Sequence, residues 1–297
     1  MGWGTMKRTA VVTAGTAGIG VETAMGLAAR GLAVTVVGRS AERGARAVER
    51  INATAPEHPA RFLAADLASL GAVRALADRI AAEGPLTVLV NNVGAMFPDR
   101  QDSVDGIEAT FAVNHLSPYL LTELLLPALQ DGAPSRIVNV TSGAIGVAKR
   151  VFDAVEPPGG YYGFHWYGRA KLANLTYTLD LADRLEGTGV SVFAADPGGA
   201  ATDMTNGTMT DPRIVSPGLR VIWPLVRRKF ERATSGPASV AAKSSIFAAT
   251  DDTLADRSGI VIGPQARPVP TARSAADPRI AAAVRHLSER LAPLTAT

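Results

Sequence analysis

The chain contains no cysteine. That excludes disulfides, thiolate metal sites and a cysteine nucleophile, and it agrees with a cytoplasmic setting. Histidine is scarce. The four are His58, His115, His165 and His286, and none are spaced like metal ligands on one helix. Charge of one sign is not concentrated either. Thirty basic residues stand against 27 acidic ones with no long basic run, so nothing points to nucleic-acid binding. No stretch reaches the roughly 18 uninterrupted apolar residues of a membrane span. Met1–Arg8 is too short and polar for a signal peptide, so a soluble protein is expected. Repeats at solenoid spacing and domain linkers are also missing, which predicts one domain over residues 1–297. Hydrophobic residues at 47% against 19% charged supply a sizeable core and argue against disorder.

What is present is a regular alternation of apolar runs and helical patterns. Strands are expected at 9–13, 33–37, 61–65, 86–91, 135–141, 190–195 and 259–262. Helices are expected at 18–30, 41–52, 70–82, 107–129, 167–185 and 238–249. The strand runs are apolar nearly throughout, as a sheet covered on both faces requires. Strict alternation predicts an α/β fold, a doubly wound parallel sheet of about seven strands with right-handed crossovers. Three segments break the rhythm: 143–165, with glycines and aromatics; 199–236, with Pro212, Pro217 and Pro224; and the proline- and alanine-rich 264–278. Long loops after strand C-termini are where such sheets bind ligands.

The first strand runs into a glycine loop over residues 13–20, Thr13-Ala14-Gly15-Thr16-Ala17-Gly18-Ile19-Gly20. Glycines there allow a tight turn and close approach to a pyrophosphate, with the next helix aiming its first amides at the anion. The alternative is a tight strand–helix turn with no ligand. After the second strand comes Gly38-Arg39-Ser40 rather than an acidic residue. A guanidinium there can pair with a ribose 2′-phosphate and stack on adenine, which favours NADP(H) over NAD(H).

Tyr167 and Lys171 lie four apart at the start of a helix, hence on one face, one turn apart. Free tyrosine, with a pKa of roughly 10, is a poor base at neutral pH, and a nearby ammonium favours the phenolate. The pair suits proton transfer to or from a substrate oxygen, although alone it also reads as an amphipathic helix with a core tyrosine and a surface lysine. Ser142 closes the fifth strand, where its hydroxyl can hydrogen-bond a reacting carbonyl. Asn114 sits among apolar residues inside a long helix, for which asparagine is an indifferent former. Asn91-Asn92-Val93-Gly94 ends the fourth strand and Asp66-Leu67 the third.

With these motifs in this order, the chain resembles the short-chain dehydrogenase/reductase family from about Thr9 to Ile262. The stretches 113–127 (VNHLSPYLLTELLLP) and 167–174 (YGRAKLAN) resemble its retinol dehydrogenase-like branch. The resemblance implies a Rossmann domain and matches Asn114, Ser142, Tyr167 and Lys171 to the family's catalytic tetrad. Tyr167 would be general acid in reduction and base in oxidation, and Ser142 would hold the substrate oxygen. Lys171 would bind the nicotinamide ribose and lower the tyrosine pKa, and Asn114 would anchor a relay water. Gly15, Thr16, Ala17, Gly18, Ile19 and Gly20 would form the pyrophosphate loop, and Arg39 and Ser40 the end that selects the cofactor. Asp66 and Leu67 would contact adenine, and Asn92, Val93 and Gly94 would lie beside its ribose. Pro197, Gly198 and Thr202 would hold the nicotinamide amide. The chain departs from the pattern at Ala14, usually glycine, at Val93, usually alanine, and at Asp196, commonly histidine in this branch.

The activity implied is reversible hydride transfer between NADP(H) and a carbonyl or secondary alcohol, on a fairly apolar substrate or a secondary metabolite. A homodimer or homotetramer is the assembly expected. Two rivals are a non-redox acid–base step on the same scaffold and a nucleotide-sensing protein. Tyr161 and Tyr162 would line the cleft or pack the insert, and His165 and Trp166 would pack before the catalytic helix. The apolar, basic stretch 219–232 (LRVIWPLVRRKFER) reads as a substrate-covering lid. A lipid-facing helix is the alternative, and Pro224 argues against one continuous amphipathic helix.

Overall fold

The computed structural model describes residues 8–200, 211–221, 223, 225, 228 and 236–295. The strands are β1 (Thr9–Val12), β2 (Ala33–Gly38), β3 (Arg61–Ala64), β4 (Val88–Asn91), β5 (Ser135–Val140), β6 (Val190–Ala195), β7 (Ile260–Gly263) and β8 (Arg267–Val269). The longer helices are α1 (Gly18–Ala28), α2 (Ala41–Thr54), α3 (Leu70–Ala81), α4 (Ser117–Asp131), α5 (Gly163–Arg184), α6 (Ala238–Thr250) and α7 (Pro278–Leu291). The sheet order is β3-β2-β1-β4-β5-β6-β7-β8, parallel except for β8 against β7.

Valine and other β-branched residues fill the central strands, and alternate positions feed two separate cores. Val11, Leu89, Ile137 and Val192 face the side covered by α3, α4, α5 and α7. Val12, Val90, Val138 and Phe193 face the side covered by α1, α2 and α6. Helix starts follow local chemistry. Ser40 accepts from the Arg43 amide, Ser69 from the Ala72 amide and Asp277 from the Arg279 amide, with Pro278 as first helical residue. No helix among the described residues is long and apolar enough to cross a membrane.

Three sequence expectations change. The eighth strand lies inside 264–278, expected to be a loop. Three residues are too short for a periodicity signal, and Pro268 is tolerated because β8 is an edge. The expected helix over 107–129 is not continuous: a short turn, Ala109–Phe111, passes into a π-turn, Ala112–Leu116, before α4 begins. Finally, α5 begins at Gly163, so His165 and Trp166 lie inside it rather than before it.

Helix α7, which no sequence signal above had placed, docks against the π-turn. The Ser288 hydroxyl donates to Val284 O at 2.7 Å and meets His115 Nε2 at 2.7 Å, so the imidazole donates from Nε2. His115 Nδ1 is buried without a partner among the described residues. Burial, aided by the Arg169 charge, pushes this imidazole down to about 3. Its folded pKa is below its unfolded value, so the unfolded chain binds more protons between pH 6.5 and about 3, and stability falls as pH drops through that window. His115→Phe is expected to flatten this fall. In urea titrations, the variant should escape a loss on the order of 3 kcal/mol that the parent suffers between pH 6.5 and 4.

Candidate active site

The strand order turns back between β1 and β4, and the loops leaving their C-terminal ends diverge to make a crevice. The glycine loop leaves β1 there. Gly15 donates its amide to Val37 O, which holds the turn against β2. Ala14 takes φ +48° and Gly18 φ +52°, so the left-handed residue at the head of the turn is an alanine. The Ala14 carbonyl accepts from Asn92 Nδ2 and lies so close to Gly20 that a Cβ there would be 2.2 Å from it. Gly20 is therefore required by packing. Thr16 packs on Gly38, while Ala17 is exposed. Ala17 gives no side-chain cap to α1, so the first-turn amides of Gly18, Ile19 and Gly20 are left for an anion. The residues present fit a dinucleotide pyrophosphate.

Arg39, just past β2, is exposed with no partner among the described residues. Ser40 is occupied as the α2 cap. Past β3, Asp66 is exposed and accepts from the Ala68 amide, and Leu67 is buried. Asn92 and Val93 donate their amides to Thr13 Oγ1, which ties the end of β4 to that of β1.

The chemistry-bearing side chains meet at Gly94. A Cβ on Gly94 would lie 3.6 Å from Asn114 Oδ1, 3.7 Å from Lys171 Nζ and 4.0 Å from Tyr167 Oη. Each group is fixed from behind. The Asn114 amide nitrogen donates to Ala95 O at 2.6 Å and to Thr110 O at 2.7 Å, and its oxygen accepts from the Ala95 amide at 3.2 Å. Capturing the carbonyl four residues back is how an asparagine competes with a helix ladder, and Asn114 sits in the π-turn. Lys171 Nζ donates to Val140 O at 2.9 Å and Val93 O at 3.2 Å, and burial lowers its pKa to about 7. The Tyr167 phenol is buried and pushed up to about 12. Burial is the main cause and the Asp196 charge adds to it, while a hydrogen bond with Ser142 pulls the other way. The family resemblance implies a phenol lowered by Lys171; here the phenol stands above its ordinary value instead. Ser142, half-buried at the end of β5, accepts from the Ala144 amide and starts the 3₁₀ turn Gly143–Val147.

An apolar roof covers Tyr167. Met96, Ala144, Ile214, Val215 and Trp223 form one buried cluster with its ring, with Phe164 and Leu219 packed on it. Asp196, beyond β6, is a partly buried carboxyl that accepts from the Gly198 amide at 2.9 Å; burial raises its pKa. Pro197 is buried and Gly198 takes φ +67° against Pro264. Thr202 lies outside the described residues, as does much of 199–236.

A family profile described as short chain dehydrogenase matches residues 8–213. The chain belongs to the short-chain dehydrogenase family. Retinol dehydrogenase 12 of Mus musculus is 35% identical over 250 residues, covering 84% of this chain and 75% of the relative, which places the chain in the retinol dehydrogenase-like branch. A crystal structure of an uncharacterized protein from Mycobacterium paratuberculosis superposes with TM-score 0.74 at 29% identity, covering 96% of this chain and 93% of that one. The Pseudomonas aeruginosa RhlG/NADP active-site complex superposes with TM-score 0.66 at 27% identity, covering 87% and 95%. The chain is thus an NAD(P)-dependent dehydrogenase acting on CH–OH groups, with a nicotinamide cofactor.

Other residues of this dehydrogenase shape the site, and of these Glu108 and Arg169 were not singled out above. Glu108 is buried and caps the turn before the π-turn, accepting from the Thr110 and Phe111 amides at 2.7 and 2.8 Å. Tyr161 packs the insert. Its hydroxyl meets Thr110 Oγ1 at 3.0 Å and donates to Phe97 O at 3.1 Å. Trp166 is buried in packing, and His165 bonds Val147 O through Nδ1 and accepts the Ser216 amide at Nε2. Arg169 is fully buried. A signal for it existed: between Gly163 and Leu179 only Arg169 and Lys171 carry charge, in a stretch otherwise fit for a core. A cavity of about 540 Å³ lies elsewhere, between α4, α5 and α7. It shares no residue with the cluster around Tyr167.

The turn at Ala14 yields a direct test. A left-handed alanine is strained relative to glycine, so Ala14→Gly should raise stability by about 1 kcal/mol by chemical denaturation. An unchanged midpoint would mean that the turn relieves the strain elsewhere.

Proposed function

We propose that this dehydrogenase transfers hydride between NADP(H) and a carbonyl or secondary alcohol of a fairly apolar small molecule, with Asn114, Ser142, Tyr167 and Lys171 as its catalytic residues. The observation that carries this reading is the convergence of three side-chain heads from the π-turn and α5 within about 4 Å of one point at Gly94, beside the glycine loop. When bound, the nicotinamide supplies the hydride acceptor or donor.

The protein's own residues do the rest. With a pKa near 12, Tyr167 holds its proton at neutral pH and is set to give it to a carbonyl oxygen in the reductive direction, the cellular direction if the cofactor pool is NADPH. Ser142, whose hydroxyl is near enough to that phenol to pull its pKa down, holds the same oxygen in place. Lys171, near 7, binds the ribose hydroxyls as a donor and exchanges a proton close to neutral pH. Asn114, locked by Ala95 and Thr110, anchors the water that returns protons from solvent. The apolar roof excludes water and favours an apolar substrate, in keeping with the name of the mouse relative. Arg39, with no partner among the described residues, suits a 2′-phosphate, and the Pseudomonas aeruginosa neighbour is described as an NADP complex. Our reading also sets the enzyme in the cytoplasm, with self-association into a dimer or tetramer open to light scattering.

Tyr167→Phe is expected to lower NADPH-dependent turnover across a carbonyl panel about 10²- to 10⁴-fold while leaving NADPH binding in place. Undiminished turnover would remove Tyr167 from the chemistry. Tight NADPH binding by the parent without NADPH oxidation on any carbonyl of the panel would favour the non-redox or sensing rivals. Arg39→Ala should weaken NADPH on the order of ten- to a hundredfold in fluorescence titrations and NADH by only about threefold or less. Equal losses would contradict a phosphate role.

A further inference from the structure

Arg169 is fully buried on α5, two residues from Tyr167 and two from Lys171, and on the side of the helix away from them. It faces the middle of the segment that links the Ser142 turn to α5. Its Nε donates to Val151 O at 2.9 Å and its Nη2 to Ala154 O at 3.0 Å. The guanidinium lies over the rings of Phe111 at 4.5 Å and Phe152 at 5.0 Å. The buried Glu108 carboxyl supplies the opposing charge, and burial lowers the Arg169 pKa to about 10, so the cation persists at neutral pH. On the solvent side the same segment is gathered by Lys149, which donates to Pro158 O and Gly160 O, and by Arg100, which pairs with Glu156.

A buried cation is costly, and an apolar side chain of similar volume is often cheaper. What the guanidinium adds is direction. Two fixed donors grip two carbonyls of a loop that has no strand or helix of its own between Val147 and Gly163. One end of that loop is the turn begun by Ser142, and the other is the first turn of the helix carrying Tyr167. Phe111, under the guanidinium, directly precedes the π-turn that carries Asn114.

We propose that Arg169 is a positioning residue that clamps the 148–162 segment onto the back of α5 and thereby fixes the spacing between Ser142 and Tyr167. Its catalytic consequence rests on the function proposed above. The structural part does not.

The test uses the full-length protein and two variants, Arg169→Met, which fills the same space without donors, and Arg169→Lys, which keeps one charged donor. In Arg169→Met, amide hydrogen exchange over 148–160 should quicken at least about tenfold, with β5 and the rest of α5 changing less than about threefold. NADPH affinity should stay within about threefold while carbonyl kcat/KM falls at least about tenfold, and Arg169→Lys should recover part of that loss. Unchanged loop exchange would overturn the clamp. So would exchange rising equally in β5 and α5 with NADPH binding lost alongside, which would make Arg169 a general core residue. If Arg169→Met does not fold, Arg169→Lys carries the same comparison, and parental behaviour in all three readouts overturns the proposal. A parent that fails to oxidise NADPH with any carbonyl of the panel would sink the proposed function, and the exchange and NADPH-binding measurements would still decide the clamp.

Discussion

The site is organised around a lysine ammonium buried almost completely beneath the C-terminal edge of the sheet. An unsolvated cation must find donors' partners nearby or lose its proton. Lys171 uses two carbonyls, Val140 at the end of β5 and Val93 just past β4, and burial still brings its pKa to about 7. Those carbonyls belong to segments leaving adjacent parallel strands, so the same two hydrogen bonds lock α5 to the crevice. The position of Tyr167, one turn before Lys171, follows from them.

Around this point the backbone does most of the positioning. Asn114 holds its place by taking the Thr110 carbonyl from the helix ladder, and the π-turn is where that exchange is accommodated. Below it, a buried polar ladder ties the strands to the helices. Asn91 donates to Thr122 and to Asn139, and Asn139 donates to Thr178. Such networks specify one register of helices on the sheet. Above it, the cluster of Met96, Ile214, Val215 and Trp223 keeps the phenol dry, which is why its pKa rises despite the neighbouring lysine. A protonated tyrosine under an apolar roof is a proton donor held in reserve.

The sequence alone carried the alternation of strands and helices, because parallel strands buried on both faces leave unbroken apolar runs and helices leave a 3.6-residue period. It also carried the glycine loop and the spacing of Tyr167 and Lys171, since these are local: a turn that needs left-handed residues and one helical turn between two side chains. The resemblance of the ordered motifs brought Asn114 and Ser142 into the same set. It did not show that Ala14 itself takes the left-handed position that glycine usually occupies, since a φ angle is not written in residue identity alone.

Only the tertiary structure decided what those residues experience. Strand β8 is too short for a periodic signal and exists because an edge strand was left to pair, whereas helix α7 has a local start in Asp277 and Pro278 but its docking site was set by the fold. The pKa values of Tyr167, Lys171 and His115 depend on which surfaces close over them, and those surfaces come from segments far apart in the chain. The same holds for Arg169, a charge whose burial is set by Phe111, Phe152 and Glu108 from two separate stretches. Sequence fixes chemistry that is local to a turn or a helix face. Desolvation and the partners of buried charges are non-local, so folding alone assigns them.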